Sequence, residues 1–216
     1  MPRPSRWPEV VAAAGKVFRE KGYSAATLED GAAFVEANLG VAPGGGGEHP
    51  LMATHNRLLG AGEAYLEVIS AAPHLTPPCR PRWFGLDGFT GPARLTNWVL
   101  AVPDLTAALR HAPPGTGVPQ DLTRGDLAWR FSLSENGELP FDGIFPALIE
   151  WQGVAHPVQR LGDTGIELVR LELRHPDAPA LTAALAPFLA DARVTVQPGA
   201  PGMMAWFETP LGLRSL

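Results

Sequence analysis

Twice in this chain a strand-like run passes straight into a helix start, and that repeat limits the possible folds more than any other feature. The first copy is Asn97-Trp98-Val99-Leu100-Ala101-Val102-Pro103-Asp104-Leu105, with Asp104 placed to cap a helix over 104–110. The second is Leu171-Glu172-Leu173-Arg174-His175-Pro176-Asp177-Ala178-Pro179-Ala180-Leu181, which leads into a helix over 177–189. Around the first copy the pattern predicts strands at 94–102, 127–134 and 145–151, with a proline- and glycine-bearing loop after the helix. Around the second it predicts strands at 166–174, 193–197, 203–208 and 211–215. Repeated βαβββ units imply an α+β fold: a curled mixed sheet with helices outside and a natural pocket on its concave face.

A hairpin stands ahead of these repeats. Thr54-His55-Asn56-Arg57-Leu58-Leu59 forms one arm and Ala64-Tyr65-Leu66-Glu67-Val68-Ile69 the other, joined by the turn Gly60-Ala61-Gly62-Glu63. Alternation puts Tyr65, Glu67 and Ile69 on one face and Leu66 and Val68 on the other. Glu67 thus sits mid-strand among apolar neighbours, where an ionised carboxylate needs a partner. A helix is expected over 29–38, a loop over 40–53, and a long irregular stretch over 71–93 that carries Trp83-Phe84-Gly85. The run Gly44 to Gly47 is followed by Glu48, His49 and Pro50 rather than Gly-Lys-Ser/Thr. It therefore fails as a phosphate loop and reads as a lip beside the pocket.

Residues 6–21 read as a helix: Ser5 can cap it, Pro8 suits its first turn, and Val10, Val11, Ala14, Val17 and Phe18 recur at helical spacing. The passage from Arg6 to Asp30 resembles the opening of TetR-type repressor DNA-binding domains, without the two helices that follow there. The reading divides the chain into an N-terminal helical segment, 1–27, and a main domain, 28–216. With no recognition helix and a net charge of −5, specific nucleic-acid binding is not expected. One cysteine, Cys79, excludes an internal disulfide and any cysteine-cluster metal site, in keeping with a reducing cytoplasm. No apolar run reaches membrane-spanning length, so no membrane partner is expected.

From about residue 28 onward, the chain resembles the glyoxalase-like branch of the vicinal oxygen chelate superfamily. The matching words are Phe34-Val35-Glu36 with Leu39-Gly40-Val41, Thr54-His55-Asn56, Tyr65-Leu66-Glu67, and Pro81-Arg82-Trp83-Phe84-Gly85-Leu86. Further on come Trp98 to Leu105, Leu148-Ile149-Glu150-Trp151, His156-Pro157, and Leu171 to Pro176 with Val194 to Pro198. The resemblance implies that each unit offers a metal ligand from its first strand and a carboxylate from its last. Glu67 and Glu150 match the carboxylates, and Asn97 falls at the second unit's first-strand position. The implied cofactor is one divalent ion, magnesium, manganese, iron or zinc, although an oxygen-rich set suits magnesium, manganese or calcium better than zinc. The first unit's opening strand is missing from this reading, which leaves an unpaired sheet edge.

The function so implied is a small-molecule enzyme of lyase, isomerase or dioxygenase type, with Glu67 and Glu150 as catalytic carboxylates. The alternative is a metal-free protein that binds or sequesters a small ligand in the same pocket. His55, Asn56, Arg82, Trp83, Arg130 and Trp151 are the candidate substrate-binding residues, supplying polar contacts, an aromatic wall and a cation for a carboxylate-bearing substrate. The competing assignment makes Glu67 and Glu150 edge carboxylates paired with an arginine such as Arg130, and the tryptophans core. Two or more units in one chain allow a monomer as well as a homodimer.

Overall fold

At the centre of the main sheet runs a strand where the sequence reads as helix. The computed structural model describes residues 27–153 and 156–216, and the backbone path of 8–13. In chain order the first unit is β1 (Pro8–Ala13), α1 (Leu28–Leu39), β2 (Gly44–His49), β3 (Thr54–Ala61) and β4 (Ala64–Ala71). The second is β5 (Asn97–Ala101), α2 (Leu105–Leu109), β6 (Val118–Arg124), β7 (Leu127–Leu133) and β8 (Ala147–Gln152). These strands form one eight-stranded sheet in the order β2-β3-β4-β1-β5-β8-β7-β6. Within each unit the first strand runs parallel to the last, β1 with β4 and β5 with β8. The two units join where β1 and β5 pair antiparallel.

This arrangement corrects two expectations. Pro8–Ala13 is a strand and not part of a helix over 6–21, of which residues 6–7 and 14–21 lie outside the described residues. The repressor-like helix therefore has no counterpart among the described residues. The main sheet also keeps its opening strand, so the unpaired edge expected there does not arise. Local spacing favoured a helix, but adjacent valines suit a strand equally well, and β1 gains a ladder on both sides. Pro8 is tolerated as the first residue of that strand.

The sheet's outer strands, β2 and β6, occupy stretches that the sequence reads as loops. An edge strand needs no apolar alternation and can carry glycine, proline and charge. In β2, Gly46 sits at φ 93, and a Cβ there would lie 2.1 Å from the Asn56 carbonyl oxygen. Only glycine allows that approach. In β6, Pro119 lies opposite Ser132 on a strand whose other side is open.

The third unit contains β9 (Glu167–His175), α3 (Ala178–Leu185), β10 (Val194–Pro198), β11 (Gly202–Glu208) and β12 (Arg214–Ser215), in the expected order of elements. Its topology differs from the first two. Here β10 lies parallel and directly beside β9, in a separate four-stranded sheet ordered β10-β9-β11-β12. A short β–α–β crossover thus replaces the pairing of first strand with last.

Alternation along the strands sorts the core into two clusters. Leu66, Val68, Leu100 and Leu148 point to the face covered by α1, α2 and the second sheet, and join Val35, Leu39, Leu105, Leu171 and Phe207. Trp98 is buried in this cluster, and its Nε1 donates to the Ile144 carbonyl at 2.8 Å. Ile69, Val99, Trp129, Phe131 and Ile149 point to the opposite face, where Met52, Trp83 and Phe84 cover them. The caps act as expected: Asp104 accepts from Ala107 N at 2.9 Å and so starts α2. No described helix is long and apolar enough to cross a membrane.

Candidate functional site

The face opposite the helices carries a polar floor built from both sheet edges. In the β3–β4 register Leu58 lies opposite Glu67 and Asn56 opposite Ile69, so Asn56 and Glu67 are diagonal neighbours on one face. Asn56 Nδ2 donates to Glu67 Oε1 at 2.6 Å and lies 3.1 Å from His49 Nε2. Its Oδ1 accepts from Gly47 N at 2.8 Å and from Arg124 Nη1 at 3.1 Å. Since a backbone N–H and a guanidinium only donate, the amide can face them only through its oxygen. Arg124 Nη1 also lies 3.3 Å from His49 Nε2. With two donors directed at it, that ring nitrogen acts as the acceptor, which places the imidazole proton on Nδ1. Burial, and then the nearby Arg124 charge, lower the His49 pKa from 6.5 to about 3, so the ring is neutral.

Aromatic side chains wall this floor. The Trp83 and His49 rings meet edge to face at 5.1 Å, and Trp83 meets Phe131 in the same way at 5.5 Å. Trp129 and Trp151 lie 5.5 Å apart on the neighbouring strands β7 and β8. Trp83 reaches the sheet from the long connection after β4, just before Phe84, a non-glycine residue held at φ 59. The indole N–H of Trp83 is buried with no hydrogen-bond partner among the described residues. Together these groups line a cavity of about 40 Å³. It shares Leu58, Arg124 and Pro157 with an open cleft of about 540 Å³ that runs along Gly45, Gly46 and Gly47.

A profile described as glyoxalase-like domain matches residues 22–189. The chain belongs to that family. No curated protein matches it. Among solved structures, a hypothetical protein from Staphylococcus aureus is similar over 89% of this chain and 86% of its own, at 10% identity and a TM-score of 0.51. A variant of Streptomyces coelicolor methylmalonyl-CoA epimerase, solved with 2-nitronate-propionyl-CoA, aligns over 71% of this chain and 100% of its own, at 12% identity and a TM-score of 0.43. The first of these likenesses speaks to the fold.

Within this glyoxalase-like frame, four of the residues singled out from sequence come together. Asn56, Glu67, Trp83 and Trp151 all line the cavity. The others do not. His55 lies on the opposite side of β3 from Asn56, and its ring is 5.9 Å from that of His74. Arg82 binds Asp87 at 2.5 Å and the Ala53 carbonyl at 3.3 Å. Glu150 points to the helix face, where it accepts from Leu105 N at 2.8 Å, Arg130 Nη1 at 3.2 Å and Gln152 Nε2 at 2.6 Å. It is the arginine-paired carboxylate of the competing assignment, and Arg130 is its partner.

Asn97 does face the cavity side of the sheet, but in a separate cleft of about 500 Å³, with its Nδ2 3.4 Å from the Gly143 carbonyl. The implied metal ligands Glu67, Asn97 and Glu150 therefore do not converge. In the register Val11 lies between Glu67 and Asn97, and β1 contains no histidine. Among the described residues no three His, Cys, Asp or Glu side chains are grouped to hold an ion. The expected donor set does not fit the implied metal.

His49 and Arg124 complete the floor, and sequence reasoning missed both. They end the two edge strands that read as loops. The signal for Arg124 is the Arg124-Gly125-Asp126-Leu127 passage, a hairpin turn between polar and apolar arms. His49 has no local signal beyond standing before Pro50.

Proposed function

We propose that this glyoxalase-like chain takes a small carbonyl compound into the aromatic-walled cavity and moves a proton on it, with Glu67 as the base. The observation that carries the reading is the Glu67 carboxylate, held by Asn56 at 2.6 Å at the foot of that cavity. A carboxylate so oriented can take the proton from a carbon beside a carbonyl. The C–H electron pair then forms the enolate double bond as the carbonyl π pair moves onto oxygen. Return of the proton to the opposite face of that carbon gives the epimer. In an α-hydroxy carbonyl its return to the adjacent carbon, with the hydroxyl proton passing to the former carbonyl oxygen, gives the isomer. Trp83 supplies a buried N–H with no protein acceptor among the described residues, a donor suited to that oxygen. A volume of about 40 Å³ accepts roughly three water-sized groups, which favours a short carbonyl end.

A second reading is a metal-free binding or sequestering protein that uses the same cavity. It is favoured by the division of Glu67 and Glu150 between opposite sheet faces, which leaves the two implied carboxylate ligands unable to share one ion. Incubation with hydroxyacetone or lactaldehyde in deuterated buffer, followed by proton NMR, separates the two. Exchange of the proton beside the carbonyl, lost in Glu67→Gln, supports the enzyme. Quenching of tryptophan fluorescence by these compounds without exchange supports sequestration. If neither exchange nor quenching occurs, both readings fall.

A further inference from the structure

We infer that the small molecule carries a carboxylate and that Arg124, which the cavity shares with the adjoining cleft, selects it. This rests on reading the cavity as a small-molecule site. Arg124 ends the edge strand β6, and its side chain reaches across β2 to the floor. The side chain passes close over Gly47, where a Cβ would meet Arg124 Cδ at 3.0 Å and shift it by a few tenths of an ångström. Both side-chain partners of the guanidinium are neutral: the Asn56 carboxamide oxygen and the His49 imidazole.

Arg57, Arg82, Arg130 and Arg160 each have a carboxylate within ion-pair distance. Among the described residues none stands within that distance of Arg124. Of the other described arginines, Arg80 and Arg94 also lack a carboxylate partner and donate to backbone carbonyls instead, but neither lines the cavity. Both of its contacts use Nη1, so Nε and Nη2 remain as donors for a two-point contact with a carboxylate. Glu67 binds the other end of the same Asn56 amide. A ligand whose carboxylate takes the Arg124 end directs its carbonyl carbon toward Glu67. The open cleft shares Arg124 with the cavity and gives such an anion its entry path.

Titration of tryptophan fluorescence with matched acids and amides tests this, using acetate, glycolate and pyruvate against acetamide, glycolamide and pyruvamide. Chloride keeps the ionic strength constant. The acids are expected to bind about tenfold more tightly than the amides, as a charge-assisted hydrogen bond implies. In Arg124→Gln the ratio should fall to near one while amide binding persists, and Arg124→Lys should retain part of the preference. If amides bind wild type as tightly as acids, or Arg124→Gln keeps the preference, charge selection is overturned and the cavity reading stands. If neither class binds, the cavity reading falls and takes the inference with it. Should Arg124→Gln fail to fold, the wild-type ratio and the lysine variant decide the question.

Discussion

Asn56 donates through Nδ2 to Glu67 Oε1 at 2.6 Å, from a diagonal position on the neighbouring strand. The same amide receives Arg124 and Gly47 at its oxygen, so one side chain orients a carboxylate, a guanidinium and a strand edge. Asn56→Ala should destabilise the fold by about 2–3 kcal/mol, because several partners lose a bond at once. It should also abolish the tryptophan response to small carbonyl compounds. Urea unfolding and fluorescence titration check the two parts.

Glu150→Gln should separate structure from function. Its carboxylate, with the side chain 17% exposed, ties β8 to the start of α2 and to Arg130. A loss of about 1–2 kcal/mol is expected. Proton exchange and ligand-induced quenching should stay at wild-type level, because the cavity lies on the other face. A loss of exchange at unchanged fold would return Glu150 to the catalytic site.

Stability should depend on pH through His49. In the unfolded chain the imidazole protonates near 6.5, but in the fold only near 3. Between these values the unfolded state binds more protons, so stability falls as pH drops through that window. The slope from this group is at most about 1.4 kcal/mol per pH unit. His49 keeps part of its surface in water, which makes that figure an upper bound. Thermal unfolding from pH 7 to pH 4 should show a shallower loss in His49→Gln than in wild type.

Two glycines with positive φ should respond unequally to alanine. At Gly46 a Cβ meets the Asn56 carbonyl oxygen at 2.1 Å, whereas at Gly125 no atom lies within 4 Å. Gly125→Ala should cost only the backbone strain, about 1 kcal/mol. Gly46→Ala must also push β2 away from β3, at about 3 kcal/mol or more. Because β2 carries His49 and Gly47, that variant should also lose the tryptophan response. Equal melting temperatures for the two variants would contradict the β2–β3 contact.

Much of the fold was legible because it is local. Asp104 announces α2 by its own side chain, and the alternation in Tyr65-Leu66-Glu67-Val68-Ile69 assigns each residue its face without reference to anything distant. Strands β3, β4, β5, β7 and β8 were visible for a similarly local reason, since short runs rich in apolar, β-branched and aromatic residues mark buried strands. The stretches Gly44–His49 and Val118–Arg124 bury little apolar surface, and so leave no such signal.

By itself, then, the sequence determined the α+β character, the hairpin with Glu67 on its inner face, the capped helices and the aromatic stock of the pocket. Tertiary structure alone decided that Pro8–Ala13 would lie as a strand between β4 and β5, since its stability comes from ladders with residues far along the chain. It also decided that Glu150 would face the helices. Which face a residue presents depends on the phase of its strand against the others, and a one-residue change of phase reverses every side chain. The meeting of His49 with Arg124, 75 positions apart, follows from the same cause. Two edge strands of unremarkable sequence deliver their last residues to one floor, and only the completed sheet brings those ends together.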